Sequence, residues 1–166
     1  MTREVALWIM IALLVLFLFL AWRGWNNRVG RYRHLPELAV ASDQGGRPSQ
    51  TFSLLYVATT EAEKPMERVA KKPLAYRAQM HLGVGSDGLF LSIPGEDEVV
   101  LPAGALRGVG RATWTIDRVV DSDGLVFVRW LWGDTAVDSY FRSVDYPADD
   151  IVKAVENLIP PTKESA

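Results

Sequence analysis

A chain of 166 residues with no cysteine holds about one domain and excludes disulfides, cysteine-zinc centres and thiol catalysis. Its net charge of −2 is unevenly divided: residues 1–35 carry Arg3, Arg23, Arg28, Arg31 and Arg33 against Glu4, a net of +4, whereas residues 36–166 carry a net of −6. An acidic domain of that kind is a poor general binder of nucleic acid, whose phosphates require surplus Lys and Arg, so no nucleic-acid partner is expected.

Residues 5–22, VALWIMIALLVLFLFLAW, form an uncharged run of 18 between Glu4 and Arg23. As a helix it would be about 27 Å long, close to the roughly 30 Å hydrocarbon core of a bilayer. Twelve of its residues are Leu, Ile, Val or Phe, worth on the order of −5 kcal/mol for insertion with no charge opposing it. Trp8 lies near one end, and Trp22, Trp25 and Tyr32 lie at the other, where interfacial aromatic belts form. The pattern predicts one transmembrane helix, integral to the lipid bilayer. A buried globular helix would carry a polar stripe, which this run lacks. A cleaved signal peptide is the rival, but the apolar core is long for one, and AWRGWNNR has no small-residue cleavage pattern. One arginine precedes the run; Arg23, Arg28, Arg31 and Arg33 follow it. The positive-inside rule then predicts a single-pass protein of the cytoplasmic membrane, N-terminus outside and C-terminal domain in the cytoplasm. The four arginines act as topology determinants, or also as contacts to headgroups or a partner. The run has no small-xxx-small glycine motif and so carries no signal for helix-driven dimerisation.

Residues 1–40 are therefore read as anchor and basic juxtamembrane segment, with a short helical stretch over 29–40 interrupted by Pro36. The polar run ASDQGGRPSQ, 41–50, reads as a flexible tether. From Thr51 short alternating runs predict strands: 51–60, 76–84, 89–93, 98–102, 112–120, 125–132 and 136–143. The charged stretch EAEKPMERVAKKP, with two prolines, predicts a long loop after the first. Gly85-Ser86-Asp87-Gly88 is a hairpin signal, Pro94–Asp97 a turn, AGALRGVGR a bend, Asp121–Gly124 and Gly133-Asp134 further turns. After Pro147 the period changes. Ile151, Val152, Val155, Leu158 and Ile159 recur at helical spacing, Asp149 and Asp150 suit a first turn, and Pro160-Pro161 stops the helix, leaving 160–166 as a disordered tail.

Seven meandering strands and one amphipathic helix predict a mainly β fold: two short bent sheets, or a partly open barrel, whose open end the helix plugs. This is the pleckstrin-homology (PH) plan. The stretch ATWTIDRVVDSDGLVFVRW, with LRGVG upstream and DSYFR downstream, resembles small actinobacterial membrane proteins that carry a bacterial PH-like domain. The resemblance covers roughly 51–159 and the anchor. Members are labelled transporter or export proteins, and no catalytic signature comes with the resemblance.

Of two histidines, His34 sits among the juxtamembrane arginines and His81 in mid-strand. No H-E-x-x-H, Gly-x-Ser-x-Gly or Walker loop is present, so no catalytic residue is assigned and no enzyme is expected. Gly104, Gly108 and Gly110 lack the following helix of a phosphate loop. Glu96, Asp97 and Glu98, and Asp121 with Asp123, read as solvated turns rather than metal ligands; no metal and no cofactor is expected. In PH-type domains the loop after the first strand often forms a headgroup pocket, and Lys64, Arg68, Lys71, Lys72 and Arg77 occupy that place. They are the candidate binding residues, although Glu61, Glu63 and Glu67 dilute their field. Trp130 and Trp132 share one face of their strand, as core or as an exposed patch, and Trp114 precedes them. The expected function is a non-catalytic, membrane-tethered interaction module that binds a protein, or less favourably lipid headgroups. The alternative is an accessory subunit of an export, transport or envelope-assembly system.

Overall fold

The computed structural model describes residues 3–32, 34–44, 46–112, 125–143 and 145–159. The chain divides into two units, Met1–His34 and Leu35–Ala166. The first is α1 (Arg3–Arg31), with Glu4 in its first turn. Within it Arg3–Asn27 is, among the described residues, the one helix long and apolar enough to cross a membrane. The helix outruns the 5–22 span because no proline interrupts the chain before Pro36.

The second unit contains β1 (Ala39–Val40), α2 (Ala41–Gln44), β2 (Gln50–Glu61), β3 (Lys64–Arg68), β4 (Ala78–Gly85), β5 (Gly88–Ser92) and β6 (Val99–Pro102). A 3-10 turn, Ala103–Ala105, leads into β7 (Leu106–Ala112), followed by β8 (Leu125–Trp132), β9 (Thr135–Ser143) and α3 (Ala148–Glu156). The strands form one antiparallel sheet in the order β1-β6-β5-β4-β2-β9-β8-β7, with β3 paired beside β2. β2 joins the two halves. Its first seven residues pair with β4, and Leu54 to Glu61 pair with β9. A register shift between Tyr56 and Ala58 bends it, as bulges do.

Alternation along these strands sends Tyr56, Leu82, Leu89, Leu91, Leu101, Trp130, Trp132 and Phe141 to the inner face, each no more than 1% exposed. α3 packs on β7 and β8 and adds Ile151 and Val155. Trp130 and Trp132 are core, not a surface patch: their rings stack 5.2 Å apart. Burying an indole of roughly 150–250 Å² is worth at most about 4–6 kcal/mol.

The stretch read as a loop after β2 contains β3, and the bend at 104–112 is mostly β7. The strand expected at 112–120 lies, beyond Ala112, outside the described residues, as do Trp114, Asp121, Asp123 and 160–166. The run 41–50 is docked rather than loose: β1 pairs with β6, the Ala41 N–H donates to the Glu98 carbonyl at 2.8 Å, and the Ser49 N–H donates to Val84 at 2.8 Å. Ala41 is buried against Phe90 and Val100. No helix forms at 32–40 among the described residues, because Pro36 breaks it and Ala39–Val40 joins the sheet edge.

Candidate interaction site

The chain between β2 and β4, residues 62–77, begins with a tight turn in which Glu63 takes a positive φ of 66°. β3 then runs back beside β2, with Glu61 opposite Lys64 and Thr60 opposite Arg68. Four of the five basic side chains are engaged locally. Lys64 meets Glu61 at 2.6 Å, and Lys72 donates to Glu96 at 3.2 Å. Lys71 donates to the Leu35 carbonyl, and Arg68 Nη2 reaches the Val57 carbonyl at 3.4 Å. Arg77 is exposed before β4. Lys71 and Lys72 do share an open cleft of about 240 Å³, but it is also lined by Glu37, Glu96 and Asp97, so its carboxylates outnumber its lysines. Lys64, Arg68 and Arg77 do not line it. Of the juxtamembrane set, Arg23, Arg28 and Arg31 lie on α1, and Arg33 falls outside the described residues. In the second unit the exposed large apolar side chains among the described residues are Met66 at 76%, Tyr76 at 66% and Tyr146 at 42%. Two of these three belong to the 62–77 segment.

A buried chain of hydroxyls pins that segment to the core. Trp130 Nε1 donates to Ser139 Oγ at 2.9 Å, Ser139 and Thr59 hydroxyls meet at 2.7 Å, and the Tyr56 hydroxyl lies 2.9 Å from Thr59 Oγ1 and 2.8 Å from the Leu74 carbonyl. The carbonyl can only accept, and each hydroxyl has one proton to give. One arrangement leaves no donor short: the indole gives to Ser139, Ser139 to Thr59, Thr59 to Tyr56, and Tyr56 to Leu74. Burial raises the Tyr56 phenol above its ordinary value, keeping it protonated.

A second polar feature lies on the outer face. The register sets Gly108, Arg129, Asp138, Thr60 and Arg68 in one row across β7, β8, β9, β2 and β3. Arg129 donates to both Asp138 oxygens, at 2.8 and 2.9 Å, a bidentate pair that raises the Arg129 pKa. In the neighbouring row Gly110 faces Phe127. A Cβ on Gly110 would come within 2.8 Å of the Phe127 ring, so only glycine leaves room for the ring to lie over β7. Phe127 also meets Tyr140 at 6.4 Å, and burial raises the Tyr140 pKa. Phe127, Arg129, Asp138 and Tyr140, with Thr60, Glu63 and Arg111, line a recess of about 330 Å³. Sequence spacing could not show this row, because it exists only once the register is set.

His81 is exposed on β4, with Nδ1 3.2 Å from Ser53 Oγ. Glu96 and Asp97 are exposed in their turn. Among the described residues no group of three or more His, Asp or Glu converges as a metal centre would. Gly104 lies in the 3-10 turn, and a strand rather than a helix follows, so no helix N-terminus is aimed at a phosphate.

No curated protein matches the chain significantly. Among solved structures, that of Vav1 inhibited by an allosteric inhibitor is similar at a TM-score of 0.41 and 11% identity; the match covers 86% of this chain and spans 35% of that one. A model of the bacterial PH domain-like family matches residues 34–156. That interval runs from His34, one residue before the second unit, through the end of α3, and by this match the chain belongs to the bacterial PH domain-like family.

Proposed function

We propose that this protein is a non-catalytic interaction module held at the cytoplasmic membrane by α1, N-terminus outside and PH-like domain inside, and that the domain binds a protein rather than lipid headgroups. The observation that carries this reading is the make-up of the 62–77 segment. Its lysines are tied to their own chain, while Met66 and Tyr76 stand in solvent. Tyrosine and methionine are enriched at protein interfaces, whereas lysine is depleted there. The domain's net charge of −6 also opposes approach to an anionic leaflet. PH-like domains serve in general as binding modules rather than catalysts, in keeping with this role.

The test places a photo-crosslinking amino acid at Met66 or Tyr76 of the full-length protein in its native membrane. A discrete protein adduct at both positions, absent when the probe replaces Glu156 on α3, supports the reading. Adducts to lipid alone would reverse it. Protease digestion of the C-terminal domain in inverted vesicles but not in sealed cells tests the orientation.

A further inference from the structure

The geometry points to a small oxyanion site on the outer face of the sheet, between Thr60 on β2 and Arg68 on β3, that accepts a phosphate or carboxylate oxygen. Among the described residues, two buried side-chain polar atoms have no hydrogen-bond partner: Thr60 Oγ1 and Arg68 Nε. The two residues are directly opposed in the β2–β3 register, so both atoms stand on one face, where opposed Cβ atoms are about 5 Å apart. Two buried hydrogen-bonding groups left open on directly opposed residues point to an absent acceptor, because such groups are satisfied in nearly all folded proteins.

The charges of the row favour an anion over a neutral acceptor. Asp138 gives both oxygens to Arg129. Arg68 has no carboxylate partner among the described residues; its one hydrogen bond is the 3.4 Å contact to the Val57 carbonyl. Within the row, two arginines thus share one carboxylate. Thr60 also lines the 330 Å³ recess, and Arg68 is only partly buried, which leaves a route for exchange. Two groups compete with a ligand. Glu63 lines the same recess and carries the like charge. Tyr140 lies close enough for Thr60 to influence its ionisation, although the Thr60 hydroxyl meets no partner at hydrogen-bonding geometry. The site does not depend on the protein-partner reading, since Arg68 and Thr60 bind the oxyanion whatever covers Met66 and Tyr76.

The test uses the full-length protein in phosphatidylcholine nanodiscs and follows arginine Nε–H resonances by NMR. Inorganic phosphate is titrated at constant ionic strength. The Arg68 Nε–H signal should shift saturably. Arg68→Lys keeps the charge but removes the Nε–H fork and, followed through the Thr60 backbone amide because the Arg68 signal is gone, should weaken binding about tenfold or more. Thr60→Val should weaken it several-fold, Glu63→Gln should tighten it, and Lys72→Ala should leave it unchanged. Acetate in place of phosphate, and nanodiscs carrying phosphatidic acid with no free phosphate, identify the source: whichever saturates the Arg68 signal at the lowest concentration is the preferred carrier. A shift that stays linear in phosphate, or one equal in wild type and Thr60→Val, would mean that water alone fills the gap and would overturn the assignment.

Discussion

Replacing Thr59 by valine should destabilise the domain far more than loss of one surface hydroxyl would. Valine keeps the shape but removes an acceptor and a donor. The Ser139 hydroxyl then has nothing to give to, and the Tyr56 oxygen loses the proton it receives. Thr59 and Ser139 are both fully buried, so water cannot replace the missing partner. A buried group left unpaired costs about 1–3 kcal/mol, which puts Thr59→Val at about 2–3 kcal/mol. For a domain of this size 1 kcal/mol moves the melting midpoint by roughly 4 °C, so the expected shift is about 8–12 °C. Ser139→Ala strands the Trp130 N–H and should cost about 1–3 kcal/mol. The relay makes a sharper claim: in the double variant, Thr59→Val should cost at least about 1 kcal/mol less than it does alone, because its partner is already gone. Thermal unfolding of the full-length protein in detergent, followed by near-UV circular dichroism of the stacked indoles, reads all four corners of the cycle. Costs that add to within about 0.5 kcal/mol would refute a connected relay.

Four further outcomes are expected. The Tyr56 proton is held more tightly in the folded state than in the unfolded one, so its contribution is complete below about pH 10, the unfolded value, and is lost as the pH rises from there toward the higher folded value. Denaturant midpoints between pH 9 and 11.5 should therefore fall at up to about 1.4 kcal/mol per pH unit for this group, and Tyr56→Phe should remove that part of the slope. Gly88→Ala should cost about 3 kcal/mol or more, measured by urea unfolding, because φ is 150° and the new Cβ would sit 2.0 Å from the Leu101 carbonyl oxygen. Asp138→Asn, which strips the carboxylate from the partly buried Arg129, should cost about 1–3 kcal/mol, whereas Lys64→Ala, which breaks an exposed pair, should cost less than about 1 kcal/mol. Leu13→Arg places about 3 kcal/mol against an insertion energy on the order of −5 kcal/mol, so a measurable share of the protein should move from the pellet to the supernatant on carbonate extraction.

The parts of the fold written in side chains were legible. LVFVRWLW alternates over the whole of β8, Gly-Ser-Asp-Gly and Gly-Asp mark the turns on either side of the central strands, and the apolar positions of α3 repeat at helical spacing. The parts held by backbone pairing were not. β3 reads KPMER, with a proline and three charges, and is a strand because the last residues of β2 extend beyond the reach of β4 and offer it a free edge. β7 contains two glycines and looks like a bend until Phe127 is seen lying over one of them. The tether looked flexible because Gly46 and Pro48 are turn formers, yet two paired residues of β1 and the Ser49 contacts hold it. The candidate site divides in the same way. The basic residues at 64–77 were visible as composition, but each partner they take is set by the fold. The orphaned pair of Thr60 and Arg68, eight positions apart in sequence, needed the register.

In the proposed arrangement, the anchor and a small interface explain one another. Met66 and Tyr76 offer only two large apolar contacts, well below the 20 to 30 residues a side that a stable soluble complex of about 1,600 Å² uses. Alone they would support weak binding. Confinement of both partners to one membrane changes the arithmetic, because a second contact between tethered molecules proceeds at an effective concentration that reaches the millimolar range for short links. Seven residues separate the candidate span from the start of the domain at Leu35, and the docking of β1 and α2 leaves no long loose linker after it. The link is therefore in the short regime where this gain is largest. Detaching residues 1–34 should weaken binding by about 100-fold or more without altering the interface, whereas Met66→Ser with Tyr76→Ser in the anchored protein should abolish it. Equal affinity with and without the anchor would mean that the domain carries a larger interface than these two side chains, and the choice of the 62–77 segment as the contact would fall with it.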